Sequence, residues 1–186
     1  IRDRLYYLCR EFKRMMNERG DEQASTLFFR ESLLHEMYFS EKPRLAELTV
    51  RYEALRCDIM QQYYMNKDYD NVIRIATSLD FHDDTDPNAS CLVYYYKAQA
   101  YVKLENYPMA KEAFFRELEL RKKYLGWEDE DTILACQNLG VLHSFCNERE
   151  EALACFREAY GHEVKKNGED SEMAQKLLQY ISVVES

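Results

Sequence analysis

Glycine and proline are scarce in this chain, at 5 and 3 of its 186 residues. So little punctuation excludes a many-stranded β fold, which needs a turn signal every roughly 8–12 residues. No apolar run reaches the roughly 18 residues of a membrane-spanning helix, so no membrane insertion is expected, and no signal peptide is recognisable. Basic residues are outnumbered, with 25 Lys and Arg against 34 Asp and Glu and a formal net charge of −9. That balance argues against nucleic acid as a partner, because phosphate backbones are held by cations that displace counterions. The 6 cysteines, at 9, 57, 91, 136, 146 and 155, form no Cys-x-x-Cys pair. They read as reduced, buried small residues of an intracellular, cytoplasmic protein.

Catalytic signatures are missing as well. No Gly-rich phosphate loop occurs. His143 and Cys146 lie one helical turn apart, with Cys155 and His162 further on. A structural zinc site, however, needs four converging ligands, usually in tight pairs. The acidic stretch from Asp80 to Asn88 lacks the Asp-x-Asp-x-Asp-Gly loop and the twelfth-position Glu of a calcium site. Nothing marks Cys155 as an activated nucleophile. The basic clusters Arg121-Lys122-Lys123 and Lys165-Lys166 fall in last turns of helices, where cations favour the helix dipole. The expectation is a chain that is not an enzyme, with no catalytic residues, no metal and no cofactor. It opens on Ile1 rather than Met, as a piece of a longer polypeptide would.

What the chain does have is helical periodicity. It is 46% hydrophobic, with 15 Tyr and 9 Phe, enough to bury a core and too aromatic for a disordered chain. Apolar spacing predicts helices over about 2–17, then to about Tyr38, 43–65, and a shorter one ending near Leu79. After the linker from Asp80 to Asn88 come helices of about 90–104, 107–124, 131–146, 149–166 and 171–184. That makes about nine.

The strongest signal is a self-match at an offset of 42 residues. Tyr101, Tyr107, Ala110 and Phe114 align with His143, Arg149, Ala152 and Phe156. The linkers repeat too: Leu125-Gly126-x-Glu128 recurs as Asn167-Gly168-x-Asp170. A fixed period of this size indicates stacked helical hairpins. None can bury its apolar face alone, so neighbours must stack in series. Gly140 inside a helix costs about 1 kcal/mol against Ala, which close helix approach would justify.

These residues resemble the tetratricopeptide repeat family. A repeat begun at Cys91 places Tyr94, Ala98, Tyr101, Ala110 and Phe114 on that family's pattern. One begun at Ile133 places Leu139, Gly140, His143, Ala152, Phe156 and Ala159. Lys97, Glu117 and Cys136 depart from it. A weaker copy starts at Glu53 and a still weaker one at Leu5. The spacing and the linker Leu125–Thr132 are similar to the long repeats of kinesin light chains. The resemblance implies an all-α fold, a right-handed superhelix of antiparallel hairpins running as one array over 1–186. Its hairpins are divergent over 1–80 and clear over 89–166, with a capping helix at 171–184.

The resemblance also implies a function: a protein–protein interaction module that holds a peptide or helix of a partner in its concave groove. Family positions put Gln61, Tyr64, Leu92, Tyr95, Gln99, Lys103, Gln137, Asn138, Val141 and Phe145 on that groove. Asn138 is the kind of residue that there hydrogen-bonds an extended backbone. The family's carboxylate clamp wants Lys and Asn where Cys57 and Gln61 stand, which disfavours chaperone tails. The alternatives are a regulatory or self-associating, homo-oligomeric domain controlling an attached effector, or an accessory helical domain of a larger enzyme.

Overall fold

The computed structural model describes residues 57–77 and 87–186, and every regular element among them is an α-helix. Residues 57–65 form α1. Then come α2 (Tyr69–Thr77), α3 (Pro87–Lys103), α4 (Tyr107–Tyr124), α5 (Glu130–Phe145), α6 (Arg149–Asn167) and α7 (Glu172–Glu185). The expected helices over 2–17 and up to Tyr38, and the repeat copy from Leu5, lie outside the described residues. Helix α3 starts a few residues before the expected 90. Pro87 suits a first turn, because its fixed φ is already helical and its missing N–H has no helical partner there.

The chain divides into two compact units, Ile1–Ala89 and Ser90–Ser186. In the first, Ile59, Met60, Val72 and Ile75 are buried, and the Cys57 thiol donates to the Ala89 carbonyl at 3.3 Å. Asp68 opens α2 by accepting from the Asn71 backbone N–H at 3.3 Å and its side-chain amide at 2.7 Å.

The same tight turn closes three hairpins. Lys67, Glu105 and Asn147 take positive φ values of 62°, 58° and 60°. Behind each, the next N–H reaches back to a carbonyl at 2.9 Å: Asp68 to Tyr63, Asn106 to Tyr101, and Glu148 to His143. This left-handed residue and its back-bond satisfy carbonyls that a helix end otherwise orphans. The copy from Glu53 keeps this turn although its apolar pattern has drifted.

In the second unit α4 packs on α5, α5 on α6 and α6 on α7. One core joins Ala98, Ala110, Phe114, Leu139, Ala152, Phe156 and Leu177. The small residues lie where helices approach. A Cβ on Gly140 would stand 2.8 Å from Cε1 of Phe156 and 3.0 Å from the Cys155 Cβ. Phe156 in turn stacks on Tyr180, ring centroids 5.1 Å apart.

The corners between hairpins also recur. Gly126 and Gly168 take φ values of 72° and 86°, a backbone that favours glycine. Three residues after each stands an N-cap: Asp129 accepts from the Thr132 N–H, and Ser171 from the Ala174 N–H, both at 3.1 Å. A buried side chain of the preceding helix approaches each cap. It is Arg121 at 3.9 Å from Asp129, and Glu163 accepting from the Ser171 hydroxyl at 2.7 Å. Glu148 opens α6 without a side-chain cap bond, because its carboxylate is engaged elsewhere. Lys111 and His143 Nδ1 (the latter at 2.6 Å) both bond it, tying neighbouring hairpins together.

Candidate binding groove

Helices α3 and α5 each carry a stripe at helical spacing on one side of the second unit. On α5 it is Leu134, Asn138, Val141 and Phe145; on α3 it is Leu92, Tyr95, Gln99, Val102 and Lys103. Four of these, Leu92, Leu134, Val141 and Phe145, are large apolar side chains exposed by 39%, 36%, 41% and 67%. Exposure on one continuous strip distinguishes them from isolated surface hydrophobes.

Two cavities lie along the strip. The larger, about 370 Å³, is lined from α3 by Gln99, Val102 and Lys103 and from α5 by Asn138, Val141, Leu142 and Phe145. Tyr107 and Phe114 of α4 and Glu105 of the turn complete it. The Tyr107 and Phe145 rings pack 5.2 Å apart. The smaller, about 220 Å³, is lined by Leu92 and Tyr95 of α3, Glu117 and Arg121 of α4, and Asp131, Leu134, Ala135 and Asn138 of α5. Asn138 belongs to both.

Seven of the ten residues expected from the sequence therefore come together here: Leu92, Tyr95, Gln99, Lys103, Asn138, Val141 and Phe145. Gln137 does not join them. It is only 4% exposed, its Oε1 has no protein partner, and it lines neither cavity. One residue further along α5, the side chain turns by about 100° and enters the groove. Gln61 is exposed and Tyr64 half-buried, its ring 5.6 Å from Tyr69. Both belong to the first unit.

Sequence reasoning misses the second-helix contribution. Tyr107 and Phe114 of α4 enter the sequence reading only as repeat positions; Phe114 is 3% exposed, yet it lines the larger cavity. Glu117 is missed too. That residue stands where the repeat pattern it resembles has a small residue, and it is 1% exposed. Its Oε1 accepts from Arg121 Nε at 2.9 Å, and its Oε2 has no partner. Burial outweighs the neighbouring guanidinium and pushes the carboxyl up to about 7. A Glu at a small-residue position, four residues before Arg, is the one signal that marks it.

The other side chains that the sequence offers for chemistry make local contacts. Trp127 stacks on His162 with ring centroids 4.0 Å apart and planes 4° apart, and Lys122 lies 5.0 Å over Trp127. Lys166 donates to the Glu128 carbonyl at 2.7 Å. The Cys136 thiol donates to the Cys155 carbonyl at 3.3 Å. Among the described residues, no three His, Cys, Asp or Glu side chains are grouped to hold a metal ion. No helix among them is long and apolar enough to cross a membrane.

No protein-family model matches the chain, and no curated protein matches it in sequence. Solved structures do resemble it. BtubC (BKLC) from P. vanneervenii superposes with a TM-score of 0.56 at 17% identity, over 88% of this chain and 65% of that one. The fold is TPR-like. The chain thus spans about two thirds of that neighbour's length, and an identity this low speaks to the fold alone.

Proposed function

We propose that the chain is a TPR-like scaffold or adaptor module whose groove holds an extended peptide or helix of a partner protein. The observation that carries this is the pair of adjoining cavities joined at Asn138, apolar along α5 and edged by amides. Such a surface suits apolar anchors in pockets, with main-chain hydrogen bonds supplied by Asn138 and Gln99. In this reading the module itself is not an enzyme and acts inside the cell. Its 42-residue spacing supports long repeats of the kinesin-light-chain kind.

The test is direct selection. Peptides from a random displayed library are enriched on the full chain, and their affinity is read by fluorescence anisotropy. Asn138→Ala with Val141→Asp should weaken them on the order of tenfold or more, with helical circular dichroism intact. Undiminished binding would place the peptide elsewhere. A mass of two chains in light scattering, lowered to one by the same substitutions, would favour self-association through this face instead.

A further inference from the structure

The smaller cleft differs from the rest of the groove in being lined by a buried carboxylate. At the equivalent place one hairpin later stands Ala159, also fully buried. A small apolar residue therefore satisfies the packing of this fold, and an ion pair in its place is at best neutral for stability. Glu117 is half used. Its Oε1 accepts from Arg121 Nε at 2.9 Å, while Oε2 is shielded from solvent without any partner in the protein.

The charge around it is unbalanced. Arg121 Nη1 lies 3.4 Å from Asp131 Oδ2 and 3.9 Å from Asp129 Oδ1. One guanidinium thus serves three carboxylates, and the cleft as a whole calls for a cation. Burial holds the Glu117 carboxyl up to about 7 in spite of Arg121, as expected of an acceptor lacking a second donor. Leu92, Tyr95 and Leu134 supply apolar walls that match the methylene stem of a long basic side chain.

We propose that this cleft receives a lysine or arginine side chain of the peptide bound in the groove, its cation pairing with Oε2 of Glu117. The inference rests on the groove being a peptide site and deepens it. Asn138, which lines both cavities, would sit beside the peptide backbone where the basic residue branches off. Asp131, 64% exposed, would meet the cation at the rim.

The test uses peptides selected on the full chain, each resynthesised with every Lys or Arg replaced in turn by norleucine. At one position, replacement should weaken binding on the order of thirtyfold or more. Glu117→Gln keeps an acceptor for Arg121 and should erase that difference, leaving the norleucine peptide's affinity unchanged. Should Glu117→Gln fail to fold, Asp131→Asn at the exposed rim should weaken the basic peptide severalfold and spare the norleucine one.

Two results would overturn the proposal while leaving the groove intact. One is selected peptides that bind through Val141 but prefer a neutral residue at every position. The other is a basic-residue preference that persists undiminished in Glu117→Gln. Peptides indifferent to both Val141→Asp and Glu117→Gln would instead remove the groove reading itself.

Discussion

Gly140 and Phe156 touch without room for a single added carbon: a Cβ on Gly140 would lie 2.8 Å from Cε1 and 2.9 Å from Cδ1 of the ring. Phe156 cannot retreat freely, since it is 1% exposed and stacked on Tyr180. Helix propensity alone would favour alanine at 140 by about 1 kcal/mol. Packing should reverse the sign. Gly140→Ala is expected to destabilise the protein by roughly 1–3 kcal/mol, seen as a lowered urea midpoint. A midpoint raised by the substitution would mean that the α5–α6 contact yields more easily than its geometry implies.

The corner caps offer a second test. Ser171 accepts from the Ala174 N–H and donates to buried Glu163, while Asp129 accepts from the Thr132 N–H beside Arg121. Losing a cap costs typically about 1 kcal/mol. Ser171→Ala also takes a donor from Glu163, whose Oε1 keeps the Asn167 amide at 3.0 Å. It should therefore cost about 2 kcal/mol, more than a simple cap loss. Equal losses for Ser171→Ala and an isolated-helix cap would show that Glu163 gains nothing from the hydroxyl.

Glu117 gives stability a pH dependence of defined sign. Its carboxyl titrates near 7 in the folded chain against an ordinary value of 4.5. Between those values the folded state holds a proton that the unfolded state has released. The Glu117 contribution to stability is therefore fully present below about 4.5 and declines as pH rises toward 7, by on the order of 3 kcal/mol at most. Glu148 works in the opposite sense and another window. The hydrogen bond from Lys111, and then that of His143, hold it below its ordinary value, so its contribution fades only in acid. Urea unfolding of wild type and Glu117→Gln at pH 5 and pH 7 should show a smaller loss in the variant. Identical losses would mean that Glu117 does not titrate in this range.

The helices of the second unit, their hairpin order and the corners between them were all legible in the amino-acid sequence, because those features are local. Periodic apolar residues mark a helix. Gly126 and Gly168 recur in matching linkers and supply a backbone that other residues avoid, whereas the caps Asp129 and Ser171 emerge only from the structure. Even Gly140 was legible, because a glycine that costs stability in mid-helix needs a neighbour to justify it. The α1–α2 turn shows the limit in one direction: Lys67 adopts the same left-handed geometry as Glu105 and Asn147 with little in its identity to announce it.

Which side chains share a cavity was settled by tertiary packing. Helical spacing assigns a residue to a face, but not what covers that face. Gln137 and Asn138 differ by one step along α5, and neighbouring helices bury the first while leaving the second at the junction of two cavities. Phe114 and Tyr107 belong to the core by pattern and to the groove by contact. Glu117 is an ordinary helical glutamate until α5 closes over it. Desolvation then leaves its second oxygen without a partner, because burial removes the water that would otherwise serve it.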